Sequence, residues 1–379
     1  MNILVVAHYQ GDGSPTASFI HDQVKAYCAL GHHVRVISPI AFGKKGYLSG
    51  SRIKGETQIC DHVPHYYLRY LSLSSYGEKC FNAASAVAAL KLRLSAALKD
   101  FRPDVIHAHT LGFDSELGTW LKKKLGCPLV VTTHGSDTSA RYAQGETAFL
   151  KACCDCADAV VGVSSRLTAK LADCGVTTPL HSILNGFAVE LLSETEKTPG
   201  NWIQVGNLIP SKHVDTTLRA FAVHIKNYPT ARLTIIGQGS ERANLELLCA
   251  DLGITHAVHF TGALSNQEVL ANMAACQFFV MPSHPEGFGI VYLEAMANGC
   301  ITIGTEGEGI ADLIQSGKNG FLVPADDPEA IVQVIESCLT DPKKAAALAA
   351  AGQIAARKLT WEENAKQYIR LFTELTLPK

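Results

Sequence analysis

The segment Pro282-Ser283-His284-Pro285-Glu286-Gly287-Phe288-Gly289-Ile290-Val291-Tyr292-Leu293-Glu294 carries the densest chemistry of the 379-residue chain. An apolar run ends at Met281, a turn of Pro and Gly follows, and the pattern predicts a helix opening near Gly287 and Phe288. Backbone N–H groups at such a start suit a phosphate or a carboxylate. Glu286 and Glu294 stand eight positions apart. Were both helical, about 100° and 1.5 Å per residue would separate them by roughly 80° and 12 Å, too far for a carboxylate dyad. That spacing suits the two ends of an extended ligand, because a carboxylate accepts paired hydrogen bonds from vicinal hydroxyls. Alone, either Glu reads equally as a solvated, cation-paired or capping residue. The glycine turn between them favours the ligand.

Two further constellations stand out. Val205-Gly206-Asn207-Leu208-Ile209-Pro210-Ser211-Lys212-His213 places one lysine in a loop opened by glycine after an apolar run. Val130-Val131-Thr132-Thr133-His134-Gly135-Ser136-Asp137 puts a histidine at a strand end, where it is either functional or tied to backbone. His134, Ser136 and Asp137 invite a hydrolase triad, yet side chains this close in sequence do not easily reach nucleophile, base and orienter positions. No Gly-x-Ser-x-Gly elbow occurs elsewhere. Gly237-Gln238-Gly239 lacks the third spaced glycine of a dinucleotide fingerprint. His107 and His109 read as packed or solvated. Cys153, Cys154 and Cys156 lack a second Cys or His pair at zinc spacing, so no metal site is expected.

The elements that must position these residues follow from periodicity. Short apolar runs at Ile3 to Ala7, Val34 to Ser38, Tyr66 to Leu71, Val105 to Ala108, Leu129 to Thr133, Ala159 to Val163 and His181 to Leu184 alternate with amphipathic helical patterns. The same grammar restarts with strands at Trp202 to Val205, Leu233 to Ile236, Val258 to Thr261, Phe278 to Met281, Ile301 to Ile303 and Gly320 to Val323. Strand, helix, strand implies crossovers and parallel sheets. The expected division is residues 1–187, residues 188–359 and a terminal amphipathic helix over 360–379. Polar, aperiodic Leu191 to Gly200 is the expected linker. Two such domains would leave a cleft, and such sheets bind ligands at the carboxyl ends of their strands.

Composition agrees with a large core, at 47% hydrophobic and 18% charged residues. A net charge of −2 speaks against nucleic acid. It averages a basic front, with 19 Lys and Arg against 14 Asp and Glu through residue 187, and an acidic back, with 14 against 21. Basic residues cluster between Lys44 and Lys124 and read either as solvated surface or as a patch for an anionic acceptor or membrane. The first eight residues read as a strand rather than a signal peptide, and no apolar run reaches transmembrane length. A cytoplasmic location is expected.

On these motifs the sequence resembles the retaining glycosyltransferases of family 4, of the bacterial cell-surface polysaccharide type. Their GT-B fold has two Rossmann-like domains facing a cleft, with a C-terminal helix crossing back. Glu286-Gly-Phe-Gly-Ile-Val-Tyr-Leu-Glu294 stands as that family's donor-site signature. The resemblance implies that Glu286 and the amides of Gly287, Phe288, Gly289 and Ile290 meet the donor sugar and that Glu294 holds the ribose hydroxyls. It implies that Lys212 neutralises the diphosphate, that His134 contacts the donor sugar and that Gly237 and Gly239 border the base. Asn207 and His213 replace the family's usual Arg and Gly, and Gly11 and Gly13 stand where it has a glycine pair. Asn185-Gly186 resembles an interdomain turn, and Glu306 to Ile310 the loop before the last donor-domain helix.

The resemblance implies metal-independent hexosyl transfer from a nucleotide sugar, UDP-sugar favoured, to a glycan or lipid-linked acceptor, with no bound cofactor. Partners would be the donor, the saccharide acceptor and an anionic membrane met peripherally. Two alternatives stand: a nucleotide-sugar epimerase on the same fold, and a catalytically silent nucleotide-sugar binding protein.

Overall fold

A computed structural model describes residues 1–8, 18–42, 57–71, 79–188 and 196–377. The chain divides into two compact units, one formed by Met1–Gly186 with Trp361–Lys379 and the other by Phe187–Thr360.

In the first unit the strands are β1 (Asn2–Val6), β2 (His33–Phe42), β3 (Thr57–Cys60), β4 (Val63–Leu71), β5 (Val105–His109), β6 (Leu129–Thr133), β7 (Ala159–Gly162) and β8 (Leu180–Ser182). They lie in the order β3-β4-β2-β1-β5-β6-β7-β8. Only β3 runs antiparallel to its neighbour. Ile3 to Val6 and Leu129 to Val131 are fully buried, which is why they read as unbroken apolar runs: crossover helices cover both faces of a parallel sheet. The crossovers are α1 (Ser18–Ala29), α2 (Lys79–Ala97), α3 (Phe113–Leu125), α4 (Ser139–Ala143), α5 (Thr147–Asp155) and α6 (Ser165–Asp173). Helix α3 ends on Gly126 in the left-handed region, with Lys122, Lys123 and Lys124 in its last turn, where cations complement the helix dipole.

The second unit contains β9 (Thr198–Val205), β10 (Leu233–Ile236), β11 (Val258–Gly262), β12 (Cys276–Val280), β13 (Ile301–Thr305) and β14 (Phe321–Val323). All are parallel, in the order β11-β10-β9-β12-β13-β14. Its helices are α7 (Val214–Asn227), α8 (Arg242–Asp251), α9 (Asn266–Ala275), α10 (Ile290–Ala297), α11 (Pro328–Thr340) and α12 (Pro342–Ala356). This is the doubly wound 3-2-1-4-5-6 order. The chain reverses its direction of winding between β9 and β12, so the loops leaving their carboxyl ends part and open a crevice.

Helix α13 (Trp361–Thr376) belongs to the first unit. It buries Trp361, Ala365, Tyr368 and Phe372, one face of a helix. Asn364 is clamped there as well, accepting from Gln23 Nε2 at 2.8 Å and donating to the Leu184 carbonyl at 2.8 Å.

Strand β3 was not expected, β2 and β4 are longer than the sequence reading gave, and two further departures lie in the second unit. Strand β9 starts at Thr198, inside the stretch expected to be a linker. Lys197 Nζ donates to the carbonyls of Met273, Ala274 and Cys276 at 3.1, 3.1 and 2.8 Å, and the Gly200 amide donates to Gln277 Oε1 at 2.8 Å. One lysine thus caps carbonyls at the junction of α9 and β12, a demand invisible in local polarity. Helix α10 begins at Ile290, two to three residues later than expected, because Gly289 at φ +80° takes the cap position.

Candidate functional site

The crevice at the switch point of the second sheet is walled by the loops after β9 and β12. They are stitched together by polar contacts. The Ser283 hydroxyl shares its one proton between the Ser211 carbonyl at 2.9 Å and Glu286 Oε2 at 3.1 Å, and the His284 amide donates to the same carbonyl at 2.8 Å. Lys212 and Glu286 form an ion pair in this corner, with side chains 21% and 13% exposed. Two residues 74 positions apart in sequence therefore share one partly accessible charged pocket wall. A lysine so placed offers a point charge to an anionic group, and the carboxylate offers acceptors to hydroxyls.

The loop after β10 closes against the loop after β9 backbone to backbone. The Leu208 amide donates to the Gln238 carbonyl at 2.9 Å, and the Glu241 amide donates to the Leu208 carbonyl at 3.0 Å. A Cβ on Gly237 would stand 1.8 Å from the Gly206 carbonyl oxygen, and one on Gly239 2.1 Å from that of Leu208. The spacing Gly-x-Gly thus serves close loop approach. Asn207 is exposed, and no interaction of its side chain appears among the described residues.

Beyond Glu286, Gly287 and Gly289 lie in the turn, and Phe288 is buried. Ile290 opens α10, and half-buried Glu294 sits one turn further along it. Tyr292 lies beneath: its hydroxyl donates to the Met281 carbonyl at 2.6 Å, and a Cβ on Gly289 would stand 2.6 Å from its ring. Burial holds the Tyr292 hydroxyl well above the usual phenol range, so it stays protonated and remains a donor. From the loop after β13, buried Glu308 takes the His284 imidazole at 2.6 Å and the Glu286 amide at 2.7 Å. The segment Glu306 to Ile310 runs into a 3-10 turn (Gly309–Asp312), and β14 and then α11 follow it.

Ser283, Tyr292 and Glu308 were not singled out from sequence. Ser283 and Tyr292 stand within the segment that carries Glu286 and Glu294, and apolar context gave Tyr292 the look of ordinary core. Glu308 had no spacing signal linking it to residues more than twenty positions earlier.

In the first unit, His134 follows β6 and lies beside His109 at the end of β5. Their rings stack with centroids 5.3 Å apart, and His109 Nδ1 shares a hydrogen bond with His134 Nε2 at 3.0 Å. The other nitrogens, His109 Nε2 and His134 Nδ1, are buried without a hydrogen-bond partner among the described residues. Burial lowers His134 to about 4, only partly opposed by Asp137, and lowers His107 to about 3. Burial likewise carries His109 well below the ordinary range. All three are neutral at pH 7 and act as hydrogen-bonding groups rather than cations.

Asp137 is a loop clamp. Its carboxylate accepts from the amides of His134, Gly135 and Leu111 at 3.1, 3.0 and 2.7 Å and from the Thr133 hydroxyl at 2.8 Å. That arrangement removes the triad reading, since Asp137 orients backbone rather than an imidazole.

Gly11 and Gly13 lie outside the described residues, as do Lys44, Lys45, Arg52 and Lys54 of the basic cluster. Lys122 pairs with Asp158 at 2.8 Å, while Lys123 and Lys124 are exposed. Among the described residues, no three His, Cys, Asp or Glu side chains are grouped to hold a metal, and no helix is long and apolar enough to cross a membrane.

Two family models match successive stretches of the chain: "Glycosyltransferase Family 4" over residues 16–191 and "Glycosyl transferases group 1" over residues 193–354. An uncharacterized glycosyltransferase of Methanocaldococcus jannaschii is 28% identical over 281 residues, 72% of this chain and 76% of that one. A D-inositol 3-phosphate glycosyltransferase of Corynebacterium urealyticum is 33% identical over 183 residues, covering 46% of this chain and less than half, 43%, of its own. Among solved structures, a sucrose-phosphate synthase from Thermosynechococcus elongatus superposes with a TM-score of 0.81 at 21% identity over 99% of both chains. Anabaena HepE in complex with UDP and glucose does so with a TM-score of 0.72 at 18% identity, over 99% of this chain and 100% of that one. These likenesses are of fold.

Proposed function

The chain belongs to the family 4 type of glycosyltransferases with the GT-B fold, and on that premise we propose that it moves a hexosyl group from a nucleotide sugar, UDP-sugar favoured, to a hydroxyl of a glycan or lipid-linked saccharide. The observation that carries the reading is the Lys212–Glu286 pair at the switch point of the second sheet. A nucleoside diphosphate sugar presents, in one extended molecule, the anion a lysine neutralises and the hydroxyls a carboxylate accepts. Glu294, further along α10, is assigned the ribose hydroxyls, and Gly237 and Gly239 the border of the base. His134, neutral in its buried setting, is assigned a hydrogen bond to the transferred sugar. The UDP bound to Anabaena HepE favours a uridine donor over others.

In the proposed reaction the acceptor oxygen forms a bond to the anomeric carbon as the bond from that carbon to the diphosphate breaks. The acceptor proton passes to the departing phosphate oxygen, and attack on the same face retains the anomeric configuration. Lys212 stabilises the charge that develops on the leaving diphosphate, and preorganised charge of this kind is the larger part of such catalysis. Removing one such group costs about 10²–10³ in rate.

The test is a thermal-shift series with UDP-, GDP- and ADP-sugars, followed by assay of nucleoside diphosphate release. A ligand at 100 times its Kd adds about 2.7 kcal/mol of stability. We expect a shift with one base, turnover with it, and loss of both in Lys212→Ala. An epimerised but uncleaved donor, or binding without turnover, sinks the transfer reading, and an inverted product by NMR sinks retention.

A further inference from the structure

Glu308 is the residue on which the donor loop hangs. Its carboxylate is fully buried, and its two oxygens reach two different parts of that loop. Oε1 takes the His284 imidazole Nδ1 at 2.6 Å, and Oε2 takes the Glu286 backbone amide at 2.7 Å. The backbone answers in return, the Gly309 amide donating to the Glu286 carbonyl at 3.4 Å. Both peptide faces of Glu286 are therefore held by one short stretch of the loop after β13.

A buried carboxylate is retained only where it is paired and hydrogen-bonded, so each contact constrains the other. His284 is held from its other side as well. Its carbonyl meets His213 Nε2 at 3.1 Å, and His213 Nδ1 pairs with Asp326 Oδ1 at 2.5 Å. His213 occupies the left-handed region at φ +45°, where glycine is the usual occupant, so the side chain that does the bracing is placed at a conformational cost. Both devices converge on residues 284 to 286.

We infer that Glu308 is a positioning residue for transfer: it acts through His284 and the Glu286 peptide to fix the carboxylate and following amides against the sugar. The role rests on the donor-site reading above. Displacing a positioned group by as little as 1 Å can lower a rate about 10²-fold. Glu308 reaches the sugar's neighbours and not the nucleotide's, so losing it lowers turnover without lowering affinity for the nucleotide.

The test compares wild type, Glu308→Gln, His284→Ala and the double variant. It measures nucleoside diphosphate release from UDP-glucose, GDP-mannose or ADP-glucose, whichever the wild type turns over, and binding of the matching nucleoside diphosphate by calorimetry. Glu308→Gln keeps the shape and one acceptor but removes the charge that faces His284. We expect its kcat to fall at least tenfold with Kd for the nucleoside diphosphate within twofold of wild type. His284→Ala is expected to lose several-fold in kcat alone and nothing further when combined with Glu308→Gln, since residues acting as one unit are not additive.

A Glu308→Gln enzyme with wild-type kcat overturns the role, as does one whose nucleotide affinity and melting temperature fall in step with its rate. Full additivity in the double variant overturns the coupling through His284. Should Glu308→Gln not fold, His284→Ala decides alone: half-exposed and leaving the buried carboxylate's amide bond intact, it supports the role by losing kcat at unchanged affinity and overturns it by losing nothing. A wild type that neither binds nor turns over any of the three sugars sinks the donor-site reading itself, an outcome distinct from a working enzyme indifferent to Glu308.

Discussion

At the scale of single residues, buried His107, His109 and His134 each push the first unit's stability in one direction with pH. His107 is fully buried between the Tyr27 hydroxyl at 3.3 Å and the Thr132 hydroxyl at 2.8 Å, and burial lowers it to about 3. In the unfolded chain it titrates near 6.5, so between about pH 6.5 and 3 the unfolded state binds more protons than the folded one. Stability is therefore full above pH 6.5 and lost as pH falls through that window, by up to about 1.4 kcal/mol per pH unit for one such group. His134, lowered to about 4, adds in the same direction. We expect the melting temperature to fall steadily from pH 7 to pH 5 and the slope to flatten in His107→Gln, which keeps hydrogen-bonding atoms but does not titrate. Parallel slopes for the two proteins would refute this assignment. What was legible at this scale was the residue whose neighbours in sequence share its task. Lys212 sits in a loop opened by Gly206 and Glu286 in a turn followed by Gly287 and Gly289, and both motifs announce themselves. Glu308 and the His109–His134 contact depend on pairings between strands, and no spacing along the chain encodes them.

At the scale of elements, the loops that wall the crevice are set by how closely two backbones approach. Gly239 leaves room for the Leu208 carbonyl, and a methyl group there would stand 2.1 Å from its oxygen and 2.5 Å from its carbon. Both atoms are backbone, and the oxygen accepts a hydrogen bond from the Glu241 amide, so the clash is relieved only by moving the loop. Gly239→Ala should then cost about 1–3 kcal/mol, the range for overpacking, read as a lower urea midpoint at unchanged slope. A midpoint equal to wild type would show that the loops have slack. The two parallel sheets were legible because buried central strands are continuous apolar runs, as at Ile3 to Val6 and Phe278 to Val280. Element ends were less so. Thr198 to Gly200 reads as polar linker because its hydrogen bonds, and the Lys197 cap beside it, are made to residues more than 70 positions away. The start of α10 slipped because the glycines of the turn permit several openings, and the close approach of Gly289 to Tyr292 selects one.

At the scale of the whole molecule, the last helix in sequence completes the first unit rather than the one it follows. Tyr368 on α13 is fully buried, its hydroxyl 2.9 Å from that of Thr132 on β6, and its ring lies 4.9 Å from His107 and 5.9 Å from Phe372. Burial raises its hydroxyl above the usual phenol range, so it stays neutral and hydrogen-bonded within an aromatic cluster that ties α13 to α1 and the sheet. Truncating it leaves a cavity among side chains drawn from residues 27, 107, 132 and 372. Tyr368→Ala is therefore expected to destabilise the first unit by about 3–5 kcal/mol, the range for emptying a buried aromatic site. Because the second unit carries its own core around Trp202, Phe221 and Phe278, the loss should be local. Hydrogen exchange read by mass spectrometry should show lost protection in residues 1–186 and 361–377, while peptides from β9 to β14 keep theirs and still gain protection on adding the nucleoside diphosphate that binds wild type. Protection lost evenly across both units would mean that the chain unfolds as one cooperative body, and that the second unit cannot hold a nucleotide without the first.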